Sequence, residues 1–201
     1  MNKIAKKKME KEHRLLETAF SLFISKGIHE TTIQDIVDKA GVAKGTFYLY
    51  FKDRYDIIQK IIAIKTIKLF EDAIENSRKK EYENFVQQFL YIIDFIIDDL
   101  TENQQLLKFI YKNLSLGIHA TTAGNAKEPQ AMQVFSQSFF DLFMKRITED
   151  GIMLKAPRVT FIMIIELVGS TCYHSILYGS PLPIEEYKPH LYEAISKLLS
   201  Q

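Results

Sequence analysis

The amino-acid sequence predicts an all-α protein made of a small basic N-terminal unit and a larger helical body. Three observations carry this. Apolar residues recur at three- and four-residue steps through nearly every segment, the period of an amphipathic helix. No stretch of useful length alternates apolar with polar residues, and no segment repeats. Charge is unevenly divided: residues 1–60 hold twelve Lys and Arg against eight Asp and Glu, or +4, whereas residues 61–201 hold fourteen against seventeen, or −3. The total of +1 over 201 residues is therefore an average over two regions suited to different partners.

The elements follow in order. Leu15, Leu16, Ala19, Phe20 and Phe23 mark a first amphipathic helix ending near Gly27. Ahead of it, residues 1–14 concentrate Lys3, Lys6, Lys7, Lys8, Lys11 and Arg14, a basic arm or a solvated tail. Ile33, Ile36, Val37 and Ala40 make a short second helix. Thr32 and Asp35 bracket its first turn as a capping box, and Gly41 ends it. A third short helix is expected over about Lys44 to Tyr50. A long fourth runs from Asp53 to about Asn76 through Ile57, Ile58, Ile61, Ile62, Ile64 and Leu69. Phe85, Phe89, Ile92, Ile93 and Ile96 mark a fifth, ending near Thr101, and Leu106, Leu107, Ile110 and Tyr111 a shorter sixth. Residues 115–129 are small and polar and read as a loop. Helices resume over Ala131 to Thr148 and Pro157 to Tyr178. After the turn 179–183 a last helix is expected near Pro189, because proline suits a first helical position.

Composition excludes several classes. Cys172 is the single cysteine, which rules out an internal disulfide framework and disfavours a Cys-rich metal site. His13, His29, His119, His174 and His190 are scattered without metal-ligand spacing. No nucleophile motif or phosphate loop is present, so neither catalysis nor a cofactor is expected. The mixed stretch Leu15 to Ile28 is no secretory signal core. The most apolar stretch, Val159 to Leu177, is interrupted by Glu166, Ser170, Thr171 and His174; it reads as a buried helix and not a bilayer span. A cytoplasmic protein with no membrane partner is the expectation.

The second and third helices, joined by Gly41-Val42-Ala43, fit a helix-turn-helix. On a wheel of 100° per residue, Phe47 and Phe51 share one face and Gly45, Thr46 and Leu49 point away, flanked by Tyr48 and Tyr50. Solvated helices usually carry Glu and Lys there. Gly45 removes helix propensity but lets a backbone approach a phosphate. Lys44 and the tyrosines can donate to phosphate oxygens. Thr46 can touch a base edge, and Leu49 a thymine methyl. Periodicity alone leaves two readings open: a DNA-binding face, or an ordinary three-helix subdomain with partly buried tyrosines.

Residues 15–58 as a whole resemble the N-terminal DNA-binding domain of the TetR family of transcriptional regulators. The matching residues are Ala19, Leu22, Phe23 and Gly27, then Thr31-Thr32, Asp35-Ile36 and Ala40-Gly41-Val42, then Lys44-Gly45-Thr46, Tyr48 and Tyr50-Phe51. The resemblance implies a three-helix helix-turn-helix domain over residues 1–52 and an effector-binding and dimerisation domain over 53–201. It implies operator contacts from Thr32 and Gln34, and from Ala43, Lys44, Gly45, Thr46, Tyr48, Leu49 and Tyr50 on the recognition helix. Arg54 would clamp a phosphate at the start of the fourth helix, aided by the helix dipole. Ala43 stands where many members have serine, which loses a cap worth about 1 kcal/mol.

The resemblance further implies a homodimer on a palindromic operator and a small-molecule effector inside the body. Candidate effector contacts are Phe89, Phe109, Tyr111, Asn113, His119, Phe140, Phe143, Met163, Glu166 and Tyr173. Candidate dimer residues are Ile165, Val168, Gly169, Cys172, Ile176, Leu191, Ile195 and Leu198. The function this implies is a repressor released from DNA by a small ligand. The alternative is a DNA-bound regulator whose body docks a protein partner.

Overall fold

The structure, a computed structural model, describes residues 3–111 and 130–200. Among these residues all regular structure is helical, as the periodicity predicts. Helices are α1 (Lys3–Ser25), α2 (Ile33–Ala40), α3 (Lys44–Phe47), α4 (Arg54–Ser77), α5 (Phe85–Glu102), α6 (104–111), α7 (Gln130–Glu149), α8 (Pro157–Tyr178) and α9 (Ile184–Leu199). The chain divides into two compact units, residues 1–63 and 64–201, with the division inside α4.

In the N-terminal unit, α1 begins at Lys3, well ahead of the expected start near Leu15. The basic segment is thus part of a helix and not an arm trailing from one. Its Lys, Glu, Met and Ala residues are good helix formers, and Glu12 is held by Lys60 of α4 at 2.6 Å. The capping box of α2 is formed: the Thr32 hydroxyl accepts from the Asp35 N–H, and the Asp35 carboxylate accepts from the Thr32 N–H. Gly41 closes α2 at φ 63°, a left-handed position that suits glycine.

Helix α3 spans only four residues, shorter than expected. Ala43 precedes it with no side-chain cap, and Thr46, Phe47, Tyr48 and Tyr50 are weak helix formers. The chain continues as a tight turn, with the Leu49 and Tyr50 N–H groups bonded three residues back. Phe47 and Phe51 are fully buried, their ring centroids 5.3 Å apart. With Ile36, Val37, Leu15, Ala19 and Ile57 they make the core of this unit.

The second unit holds the end of α4 and α5 to α9. Phe85 and Phe89 of α5, Phe143 of α7 and Phe161 of α8 form an aromatic core, with Phe143 and Phe161 centroids 5.0 Å apart. Helix α9 is tied to α5 through Lys188, whose ammonium lies 3.0 Å from the Asp94 carboxylate and also meets Asp98. Burial opposes the Lys188 charge, but the Asp98 and Asp94 carboxylates outweigh it and hold the ammonium above the usual lysine range. Tyr192 donates to Asp94 from the next turn.

These contacts explain a further difference from expectation. Helix α9 starts at Ile184, with Pro189 inside it. Ile184 is buried, and Lys188 is anchored one residue ahead of the proline, so tertiary contacts carry the helix through its missing N–H. Helix α8 is long and apolar enough to cross a bilayer by length and composition alone. Here it packs against α5, α7 and α9.

Candidate nucleic-acid interface and body cavities

The capping box and Gly41 place α3 and its following turn as the tip of the N-terminal unit. Phe47 and Phe51 point inward, and Tyr48 and Leu49 between them face out. Lys44 and Gly45 are exposed, Tyr48 is 53 % and Leu49 74 % exposed, and Thr46 and Tyr50 are half-buried. Ala43, Thr32 and Gln34 are exposed beside them in sequence.

Gly45 is informative because its φ is not positive, so backbone conformation does not require glycine. A Cβ built there would meet no atom within 4 Å. Nothing in the chain's own packing excludes alanine, and the bare position is suited to a partner that comes close. Lys44 forms no ion pair with another described residue, and its ammonium is free to meet an anion.

The Thr32 hydroxyl is committed to Asp35, donating to its carboxylate at 2.7 Å. Lys26 adds an ion pair to Asp35 at 2.8 Å. The Lys26 ammonium first, then the Thr32 backbone and hydroxyl, hold the Asp35 carboxyl far below the usual carboxylate range. Gln34 donates to Asp38 at 2.8 Å.

Arg54, which the resemblance implies as a phosphate clamp, is engaged within the chain through one guanidinium nitrogen. Its Nη1 donates to the backbone carbonyls of Ile28, His29 and Thr31 at 3.1, 3.0 and 3.0 Å. It thereby staples the α1–α2 loop ahead of the capping box. The start of α4 is also already occupied by carboxylates: Asp53 accepts from the Asp56 N–H, and Asp56 accepts from the Lys52 N–H. These acidic groups answer the helix dipole from within the chain and disfavour a phosphate there.

The body contains two adjoining cavities. The first has a volume of about 50 Å³ and is walled by apolar side chains of α4 to α8, among them Phe70, Ile96, Leu100, Leu107 and Phe139. Ile165, Val168, Gly169, Cys172 and Ile176 of α8 all line it. These five, expected at a dimer seam, share one helical stripe at steps of three and four; within the single chain Cys172 is buried and the other four are half-buried. Leu191 and Ile195 are likewise buried within the chain, and Leu198 is half-buried. Burial pushes the Cys172 thiol up to about 12, so it serves as an apolar wall.

The second cavity, about 250 Å³, shares Phe89, Ile92 and Phe139 with the first and adds Ser77, Arg78, Gln88 and Arg146. Of the expected effector contacts, Phe89 lines both cavities and Phe143 the second. Phe109 is buried in the core, Phe140 packs on Phe143 and Phe161, and Met163 is 51 % exposed. Tyr111 stacks on Tyr173 at 3.5 Å, away from either cavity lining, and Glu166 is half-buried. Asn113 and His119 lie outside the described residues. Arg78, in the turn after α4, and Arg146 of α7 are polar lining residues that sequence reasoning did not single out.

Comparison with known proteins places this arrangement. Residues 15–61 match the family described as bacterial regulatory proteins, tetR family. The uncharacterized HTH-type transcriptional regulator YerO of Bacillus subtilis (strain 168) is 28 % identical over 119 residues, covering 51 % of this chain and 41 % of that protein. The match therefore spans less than half of that relative's length. The HTH-type transcriptional regulator SAB2452 of Staphylococcus aureus (strain bovine RF122 / ET3-1) is 23 % identical over 185 residues, 91 % of each chain. Among solved structures, the transcriptional regulator FadR from Bacillus subtilis in complex with stearoyl-CoA shares the fold. Its TM-score is 0.62 at 18 % identity, covering 94 % of this chain and 98 % of that one.

Proposed function

We propose a working mode for this chain, which belongs to the TetR family of DNA-binding transcriptional regulators: it is a homodimeric repressor released from a palindromic operator by a small molecule held in its body. The exposed tip carries the DNA half of this reading. Lys44 and the tyrosine hydroxyls meet phosphates, Gly45 lets the backbone close on one, and Thr46 and Leu49 read base edges. Arg54 acts as a positioning residue, holding the α1–α2 loop from which Thr32 and Gln34 approach the DNA.

The observation that favours a small ligand over a protein partner is the pair of largely apolar cavities inside the body, about 50 and 250 Å³. The FadR neighbour's bound stearoyl-CoA supports a ligand within this fold. Helix α4 is the lever: it begins at the DNA-binding unit, and its later residues Phe70, Ile74 and Ser77 wall the cavities. A ligand that favours one placement of α4 shifts the population of DNA-competent dimers.

The dimer uses the outward stripe of α8. Val159, Met163 and Tyr178 are 56, 51 and 67 % exposed, with Ser170 and His174 on the same side. Such an exposed apolar stripe calls for a partner, and a two-fold axis through it would pair two tips on half-sites about 34–36 Å, or a multiple of that, apart.

The test is DNA binding by the intact chain to its own upstream DNA across a salt series. Sequence-selective, salt-sensitive binding is expected, and Lys44→Ala should lower the slope of log affinity against log salt by about 1. Binding that ignores both salt and sequence would overturn the reading. Sedimentation should give twice the chain mass; a monomer on DNA would remove the dimer.

A further inference from the structure

The start of α1 serves no core. The helix begins at Lys3, yet the first of its described side chains to be buried is Leu15. Ahead of it Lys6, Lys7, Lys8, Lys11 and Arg14 are all exposed, and none forms an ion pair with another described residue. We infer that these turns of α1 are a second phosphate-binding face, which grips the DNA backbone flanking the bases read by the tip. This rests on the reading that the tip meets DNA and adds a surface that reads no sequence.

The face is ordered and anchored. On a helical wheel Lys7, Lys11 and Arg14 fall within about 60° of one another, a ladder about 10 Å long. Glu12 lies on another side of the helix, where its carboxylate takes Lys60 Nζ at 2.6 Å. The Lys60 ammonium lies over the Phe51 ring, 5.4 Å from its centroid, and Phe51 closes the turn that carries Tyr48, Leu49 and Tyr50. The basic turns are thus pinned beside the tip, inside one compact unit. The same pair cancels Glu12, which leaves Glu10 alone against five exposed cations.

Local energetics argue against a face built only for water. Acidic residues in the first turn stabilise a helix through its dipole. Helix α1 has none there, and Lys3 and Lys6 occupy that turn. Lys7 and Lys11 stand four apart, where like charges destabilise a helix. The helix is therefore short of anions at its start and along one side, and duplex DNA presents a dense row of them. Lysine meets a phosphate as a point charge on a flexible stem, so this face contributes affinity and salt dependence but no base selectivity.

Fluorescence anisotropy on the intact chain tests this with its own upstream DNA and an unrelated duplex of equal length, each across a salt series. The triple variant Lys7→Gln, Lys11→Gln, Arg14→Gln should lower the slope of log affinity against log salt by about 2 or more. Affinity for both duplexes should fall about ten-fold or more, by factors that agree within about two-fold. Lys7→Arg, Lys11→Arg, Arg14→Lys should keep the slope. The unfolding midpoint of the Gln variant at low salt should hold or rise, because like-charge repulsion is relieved. A lowered midpoint would make these residues structural and overturn the inference. Loss confined to the upstream duplex would show base readout and overturn it as well. A slope that drops in Lys44→Ala but not in the triple variant would overturn the face on α1 and leave the tip reading standing. A slope that drops only in the triple variant would support the face on α1 and sink the tip.

Discussion

The N-terminal unit and the body use the same helices and the same aliphatic and aromatic residues, but they place their working residues oppositely. In the N-terminal unit the core is filled, with Phe47, Phe51, Ile36 and Ile57 all at 0–1 % exposure, and the residues for a partner stand outside it. In the body the residues proposed to meet a ligand are inner walls. The lesson is that an outward site carries a chemical signature in sequence, because small, aromatic or unpaired residues replace the usual solvated ones. An inward site is written in the same alphabet as the core.

That contrast can be broken from the inside first. Phe47→Ala deletes a fully buried ring beneath the tip and should destabilise the N-terminal unit by about 3–5 kcal/mol. DNA binding should vanish with it, which denaturant titration and anisotropy would show together. If binding survived at full strength, the tip would not depend on that core.

Arg54→Gln comes next. Losing a guanidinium that donates to three carbonyls should cost about 1–3 kcal/mol of stability. The salt slope of DNA binding should hold, because the side chain positions the loop and does not meet a phosphate. A slope reduced by about 1, with stability unchanged, would restore Arg54 as a phosphate clamp.

These two residues show what the sequence could tell. Helix α2 was readable to the residue, because Thr32, Asp35 and Gly41 each carry local backbone chemistry. Arg54 was not, because its role depends on carbonyls 23–26 residues earlier in the chain. The stripe Ile165, Val168, Gly169, Cys172 and Ile176 was legible as one helical face, but periodicity cannot say whether such a face meets a second copy or an internal cavity. Pro189 misled in the same way, since Lys188 and its carboxylates outweigh a local preference. Arg78 and Arg146 were invisible because an arginine, in a turn or on a helix, is ordinarily solvated.

A smaller effect probes the local device. Thr32→Ala removes the cap of α2 and should cost about 1 kcal/mol. The same cluster sets an acid limit. The Asp35 carboxyl is depressed by Lys26 and Thr32, so its contribution is fully present above its unfolded value of about 4. That contribution is lost as pH falls through the lower folded value. Unfolding midpoints of the chain and of Asp35→Asn should therefore converge in strong acid. Parallel curves down to the lowest pH would contradict this.

The smallest substitution addresses the central claim, that the tip is shaped for a partner and not for the fold. Gly45→Ala adds one methyl to open space on an α3 backbone that alanine can adopt. The unfolding free energy and the DNA affinity of this variant, measured on one preparation, decide the matter. Stability should rise by about 0.4–1 kcal/mol, while affinity falls about five-fold through loss of roughly 1 kcal/mol of close backbone contact. Stability and affinity rising together, or affinity unchanged, would contradict the account.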